Sequence, residues 1–139
     1  MSVDIANSNV NRNITLAGTS VAIFTFILFF LYPRYASGEV DPVLFQLTVG
    51  IIVSVIFSLV ISGLYFYANA LTLTHAQEGT TARFGKADGI WLLGYSLLLL
   101  EPCMILFTIN LLVVGFYALI LWFFYLAVTA VLYRRVQQK

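Results

Sequence analysis

Three long apolar segments, separated by short polar stretches, make up most of this chain. They run from about 14 to 32, from 44 to about 71, and from 89 to 133. A helix rises about 1.5 Å per residue and the hydrocarbon core of a bilayer is about 30 Å thick, so about 20 residues cross it. The first two segments each predict one membrane-spanning helix. The third is 45 residues long and predicts two.

The third segment predicts a helical hairpin with its turn at Thr108-Ile109-Asn110, because asparagine tolerates turn conformations and its side chain can bond freed backbone groups. The alternative is a short helix that breaks at Pro102 and is followed by one long helix, since proline disfavours the helical conformation of the residue before it. We favour the hairpin, with Asp88 as the N-cap of the third span. The predicted spans are about 14–32, 44–71, 89–108 and 111–133.

The predicted fold class is all-α: a polytopic membrane protein with a four-helix transmembrane bundle, short loops and both termini on the same side. Residues 1–13 form a polar N-terminal tail, 14–133 a single transmembrane domain, and 134–139 a basic C-terminal tail. Ala36-Ser37-Gly38 resembles a signal-peptide cleavage site. We interpret the first segment as a retained span, because it is longer than a usual signal core and Arg34 follows it closely.

Composition and charge also point to lipid as the solvent of this protein. Hydrophobic residues make up 61% of the chain and charged residues 9%, against about 25% charged in soluble domains. The net charge of +1 provides no basic surface, so no nucleic-acid partner is predicted. On the predicted topology only Arg34 lies on one side, and six basic residues lie on the other. Those six are Arg12, Arg83, Lys86, Arg134, Arg135 and Lys139. Because positive residues favour the cytoplasmic side, both termini are predicted to be cytoplasmic.

The scarcity of metal-binding and redox-active side chains argues against most membrane enzymes. The single cysteine, Cys103, excludes an internal disulfide and a CxxC motif, and the single histidine, His75, excludes a bis-histidine haem or an HExxH site within one chain. No catalytic constellation is visible, so the sequence favours a protein without its own catalysis, which could still be a non-catalytic subunit of a membrane enzyme. No metal and no cofactor are predicted, and bound lipid is the one small molecule that we expect.

The most informative residue is Glu101, which lies beside Pro102 inside the third apolar segment. Between residues 89 and 133 there is no other carboxylate and no Lys, Arg or His. A charged side chain near the centre of a membrane helix costs about 2.5–3.5 kcal/mol, so some contact must offset its burial. Three interpretations are open. Glu101 is protonated and bonded to a serine of the second span, to Asn110 or to a backbone carbonyl; or it is the proton or cation site of a transporter; or it meets a metal or a basic residue on another subunit.

Two sets of residues predict helix-packing seams, one in the second span and one in the fourth. The second-span seam consists of Gly50, Ser54, Ser58 and Ser62. The fourth-span seam consists of Gly115, Ala118 and Trp122, followed on the same face by Tyr125 and Thr129. Small residues four apart let another helix approach closely, and residues three or four apart share a helix face. The alternatives are a polar pathway lined by the serines in the second span and a ring-lined ligand groove in the fourth.

The leading functional hypothesis is an accessory or scaffold subunit that packs laterally in the membrane. Its partners would be membrane lipids and either further copies of itself, as a homo-oligomer, or other membrane subunits in a larger complex. The alternative is a small proton- or ion-coupled transporter or channel that uses Glu101. The candidate intramembrane site residues are Glu101, Ser54, Ser58, Ser62 and Asn110. A weaker alternative is a lipid- or quinone-binding membrane module, supported only by the aromatic content of 16% and by Glu101.

Overall fold

Helices account for nearly all of the chain that the structure describes. The computed structural model describes the backbone of residues 3–75 and 84–137, and the side chains of residues 7–68 and 88–131. The helices are α1 (Val3–Phe30), α2 (Tyr32–Ala36), α3 (Pro42–His75), α4 (Phe84–Thr108) and α5 (Leu112–Gln137). All except the short α2 contain a stretch long and apolar enough to cross a membrane. The predicted fold class, an all-α polytopic membrane bundle with four spans, is confirmed.

Several predicted boundaries differ from the structure. Helix α3 continues to His75 and α5 to Gln137, past the predicted ends at 71 and 133, so residues 134–137 of the predicted C-terminal tail are helical. Two differences lie at the starts of helices. Helix α1 begins at Val3, so residues 3–13 of the predicted polar tail are helical and continuous with the first span. Helix α4 begins at Phe84, which places Asp88 inside the helix and not at its N-cap. In both cases polar residues extend a membrane helix beyond its apolar part, a continuation that hydropathy alone does not register. Residues 76–83 of the second predicted loop and residues 138–139 lie outside the described part of the chain.

The hairpin between the third and fourth spans has the turn predicted at Asn110. Helix α4 ends at Thr108 and α5 begins at Leu112. Asn110 has a φ of 63°, in the left-handed region that asparagine tolerates better than most residues. The Leu111 N–H then donates to the Leu106 carbonyl at 2.9 Å, which satisfies one of the free carbonyls at the helix end. The alternative of a helix broken at Pro102 is wrong, because α4 is continuous through that residue.

An aspartate cap begins α3 after the first loop. The Asp41 Oδ1 accepts the N–H groups of Val43 and Leu44, each at 2.9 Å. Pro42 occupies the first helical position, where its missing N–H would have no partner in any case. A buried apolar cluster lies at this end of the bundle and packs α1 against the loop and α3. It consists of Ile27, Leu31, Val40, Phe45 and Ile52.

Helix α3 lies at the centre of the bundle, with α1 and α4 packed against it, and α5 packs chiefly against α4. Fully or largely buried positions recur every seven residues on each of the three inner helices. On α1 they are Asn13, Ser20 and Ile27; on α3 they are Thr48, Val55 and Ser62; on α4 they are Gly94, Glu101 and Thr108. A seven-residue repeat is typical of the left-handed, small-angle packing found in most membrane bundles. Each inner helix therefore directs at least one polar side chain towards its neighbours.

Candidate functional site

Glu101 lies inside the bundle, where α4 meets α1. Its side chain is 0% exposed, and the Ser20 hydroxyl donates a hydrogen bond to its Oε1 at 3.2 Å. Its other oxygen, Oε2, is buried and has no hydrogen-bond partner among the described residues. Glu101 is seven residues from the end of its span at Thr108, about 10.5 Å along the helix. The carboxyl is therefore deep in the apolar part of the protein and has one neutral donor.

The partner of Glu101 is a residue that the sequence did not single out. Serines of the second span, Asn110 and a backbone carbonyl were expected, and Ser20 of the first span makes the contact instead. The reason is geometric: Ser20 and Glu101 are 81 residues apart and meet only because α1 and α4 both pack on α3. Asn110 is exposed in the hairpin turn, beyond the end of α4, and does not contact the Glu101 carboxyl.

The predicted seam on α3 does not form one continuous contact within the chain. Gly50 and Ser54 are exposed, and the Ser54 hydroxyl donates to the Gly50 carbonyl at 2.8 Å. Ser58 is half-buried against Gly94 of α4, and Ser62 is fully buried. Residues four apart rotate by about 40° per repeat around a helix of 3.6 residues per turn, so the four positions turn from the outer surface into the core. The three serines therefore do not line a shared pathway.

Among the side chains that the structure describes, three buried polar pairs connect the inner helices, and each pair joins a different two of them. Asn13 Nδ2 donates to Ser62 Oγ at 3.1 Å between α1 and α3. Ser20 and Glu101 join α1 to α4, and the hydroxyls of Thr48 and Thr108 lie 2.8 Å apart between α3 and α4. Asn13, Ser20, Thr48 and Thr108 were all missed at the level of sequence. The signal that could have found them is the seven-residue spacing of polar positions, 13 to 20 and 101 to 108, within otherwise apolar helices.

An aromatic row crosses the bundle towards the end where α1 begins. The Arg12 guanidinium lies 4.2 Å from the centre of the Trp91 ring, which is the geometry of a cation–π contact. Trp91 stacks on Tyr95 at 5.2 Å, and Tyr95 meets the edge of Tyr125 at 6.1 Å. The row therefore links α1, α4 and α5 and gives α1 and α4 a second point of contact.

The predicted seam residues of α5 face α4. Gly115 lies against the Phe107 ring, where an added Cβ would be 3.1 Å from ring carbons. Trp122 Nε1 donates to the Ser96 carbonyl at 2.8 Å. A shallow groove of about 240 Å³ lies between the two helices and is lined in part by Pro102, Trp122 and Tyr125. Most of the remaining surface of α5 is directed away from the bundle.

The chemistry available at the site is narrow. Within the described part of the chain, no three His, Cys, Asp or Glu side chains come together in a way that could hold a metal ion. Cys103 is buried, and its thiol donates to the Leu99 carbonyl oxygen, 3.9 Å from the Cys103 Sγ. Glu101 is thus a lone carboxyl that can exchange a proton and form hydrogen bonds. Comparison with protein-family models, curated proteins and solved structures finds no match, so function is inferred from the residues and their geometry.

Proposed function

We propose that the protein is an accessory or scaffold subunit that assembles laterally in the membrane through its fourth span. The supporting observation is how little of that span is covered by the rest of the chain. In the most apolar stretch of Leu112–Val131, 6% of the residues are buried, against 28% in the second span, Pro42–Ala68. Membrane helices are held together by packing and hydrogen bonds and not by a hydrophobic force between them. A span with one neighbour is therefore weakly fixed until a second neighbour packs on it.

The outer surface of α5 is well suited to such packing because it is large, apolar and rich in aromatic side chains. The exposed residues of this face are Val113, Phe116, Tyr117, Ile120, Phe123 and Phe124. Aromatic side chains supply much contact area for little loss of conformational freedom. The buried polar side chains Asn13, Ser20 and Glu101 lie on the inner helices, so a partner on this face of α5 would meet apolar packing surface.

The geometry supports lateral assembly better than transport through one chain. Along α1 and along α4 the polar pairs are seven residues apart, which is about 10.5 Å, and buried apolar residues such as Val55 and Leu59 lie among them. Groups that pass a proton or a cation between them need to be within hydrogen-bond reach, about 3 Å. Glu101 is fully buried, whereas Ser54 of α3 is exposed on the outer surface.

Cysteine cross-linking in the native membrane tests the assembly surface. In a Cys103→Ala background, Ile120→Cys places a thiol on the outer face of α5, and Val21→Cys places a matched control on the exposed face of α1. Ile120 is eight residues from the hairpin end of α5, and Val21 is nine from the corresponding end of α1, so the two thiols have similar depths. We expect cross-linked product at Ile120→Cys at several times the yield at Val21→Cys.

The mass of the product identifies the partner. A product of twice the chain mass indicates a second copy, and another mass indicates a different membrane subunit. Equal yields at the two positions would mean random collision in the bilayer and would count against assembly through α5.

A further inference from the structure

We propose that Glu101 is a proton-binding site inside the membrane: its carboxyl is held in the neutral form against Ser20, and loss of the proton opens the contact between α1 and α4. The proposal concerns the inner three helices and is independent of assembly through α5. Its basis is the set of groups that surround the carboxyl.

The first step is the poor solvation of a charge at this position. The side chain is 0% exposed, one oxygen has a single hydroxyl donor, and the other has no partner in the described part of the chain. A buried carboxylate needs several donors or a positive partner, because isolated charges are far costlier to bury than neutral polar groups. A proton on Oε2 turns the unpartnered atom into a neutral hydroxyl and leaves the Ser20 bond to Oε1 in place.

The second step is the absence of a compensating charge on the packed helices, within the described side chains. On α1 the nearest charged residue is Arg12, eight residues from Ser20 or about 12 Å along the helix, and it lies over Trp91. The titratable groups on α3 are Tyr65 and Tyr67, both exposed. Those on α4 and α5 are Asp88, Tyr95, Cys103, Tyr117 and Tyr125. None of these supplies a positive charge at the carboxyl.

The third step is the identity of the bound ion. Metal cations of the oxygen-binding kind require about six or more ligands. The one side-chain oxygen bonded to Glu101 is that of Ser20, and among the described residues no three His, Cys, Asp or Glu side chains come together to hold a metal ion. A proton needs one oxygen. The site therefore matches a proton and not a metal ion.

The consequence follows from how α1 is held. It packs extensively on α3. Towards α4, its described side chains make two polar contacts, the Ser20–Glu101 bond and the Arg12–Trp91 contact. Beside them lies an apolar cluster in which Ala17 packs on α3 and side chains of α4 pack against the same cluster. Once Glu101 is charged, the free energy of admitting water to the carboxylate is lower than that of keeping it buried without water. Water enters where α1 is held least, and that is its interface with α4.

Infrared difference spectroscopy of the reconstituted full chain tests proton binding directly. The spectrum of wild type minus Glu101→Gln at neutral pH should contain the carbonyl stretch of a protonated carboxyl, and this band should disappear as the pH is raised. Carboxylate bands in place of the carbonyl band at neutral pH would overturn the proposal.

A distance measurement tests the opening. Spin labels at Val21→Cys and Leu99→Cys, both exposed positions, report the separation of α1 and α4 in the Cys103→Ala background. We expect the distance to increase in the pH range where the infrared band disappears. Glu101→Gln is the matched control, because its amide is neutral and similar in shape, and its distance should not change with pH. A constant wild-type distance while the band disappears, or an equal change in Glu101→Gln, would contradict the proposed opening.

Discussion

Asn13 lies fully buried near the end of the bundle where α1 begins, with its amide donating to Ser62 at 3.1 Å. Its Cβ is 3.5 Å from the position that a Cβ on Gly63 would occupy. That distance is an ordinary van der Waals contact, so α1 and α3 pack closely here, and the hydrogen bond fixes the register of α1 against α3. A polar residue in an apolar seam is a well-attested way of setting register.

The contribution of the Asn13–Ser62 hydrogen bond to stability can be measured by comparing substitutions at Asn13 and at Asn11, an exposed residue of the same helix. Interhelical hydrogen bonds in membrane proteins are worth about 0.6 kcal/mol on average and up to about 1.7 kcal/mol. We expect Asn13→Ala to lower the free energy of unfolding by an amount in that range. The control is Asn11→Ala, at an exposed position, which should change it by less than about 0.5 kcal/mol. Detergent-induced unfolding in mixed micelles measures both, and similar losses for the two variants would show that the Asn13–Ser62 bond contributes little.

Glu101 and Pro102 show how a costly residue is accommodated without breaking its helix. The helix continues through Pro102, so the carboxyl keeps its position in the seven-residue repeat with Gly94 and Thr108. At that position the Glu101 side chain points at α1. It meets Ser20 there, which belongs to the seven-residue repeat of α1. The hydrogen bond that Glu101 receives among the described residues thus comes from within the chain.

Among the helices, the pairing of α3 with α4 depends on a close approach at Gly94. A Cβ added there would lie 3.1 Å from the Ser58 Cβ and 3.3 Å from the side chain of Leu59. The Ser58 Cβ is attached directly to the backbone and cannot rotate away, so a larger side chain must push the helices apart. Small residues at such crossings are what let membrane helices pack tightly.

Valine substitutions at two glycines test this approach. Gly94→Val should lower the free energy of unfolding by about 1–3 kcal/mol, the usual effect of overpacking a tight interface. Gly50→Val is the control, because an added Cβ at Gly50 meets no atom within 4 Å, and it should be neutral within about 0.5 kcal/mol. The same unfolding assay applies. A Gly94→Val protein as stable as wild type would mean that α3 and α4 can separate freely.

The orientation of the whole molecule is predicted from its charges alone. On the topology predicted from the sequence, six of the seven basic residues share a side with the termini, which favours a cytoplasmic location for both ends. In a Cys103→Ala background, Ser37→Cys in the first loop should react with a membrane-impermeant thiol reagent on intact cells. A cysteine added after Lys139 should react only once the membrane is permeabilised. The reverse pattern would show that the termini face outward.

Taken as a whole, the molecule is three inner helices tied pairwise by polar contacts and a fourth span attached at one side. The sequence alone determined the number of spans, the all-α class, the hairpin turn at Asn110 and the prominence of Glu101. These are local matters: the length of an apolar run against the thickness of a bilayer, the turn preference of one residue, and the free energy of placing one carboxyl in hydrocarbon.

Only the tertiary structure decided which side chains meet. In lipid the outward faces of these helices are apolar like much of the inner faces, so no polar stripe marks the outward side. The seven-residue spacing of a few polar positions is the one trace of helix rotation in the sequence, and it does not say which helices meet. That rotation depends on how neighbouring helices pack, and it brings Ser20 to Glu101 and Asn13 to Ser62 while leaving Gly50 and Ser54 outside. Seven-residue packing, and not the four-residue recurrence of small side chains, selects the buried positions.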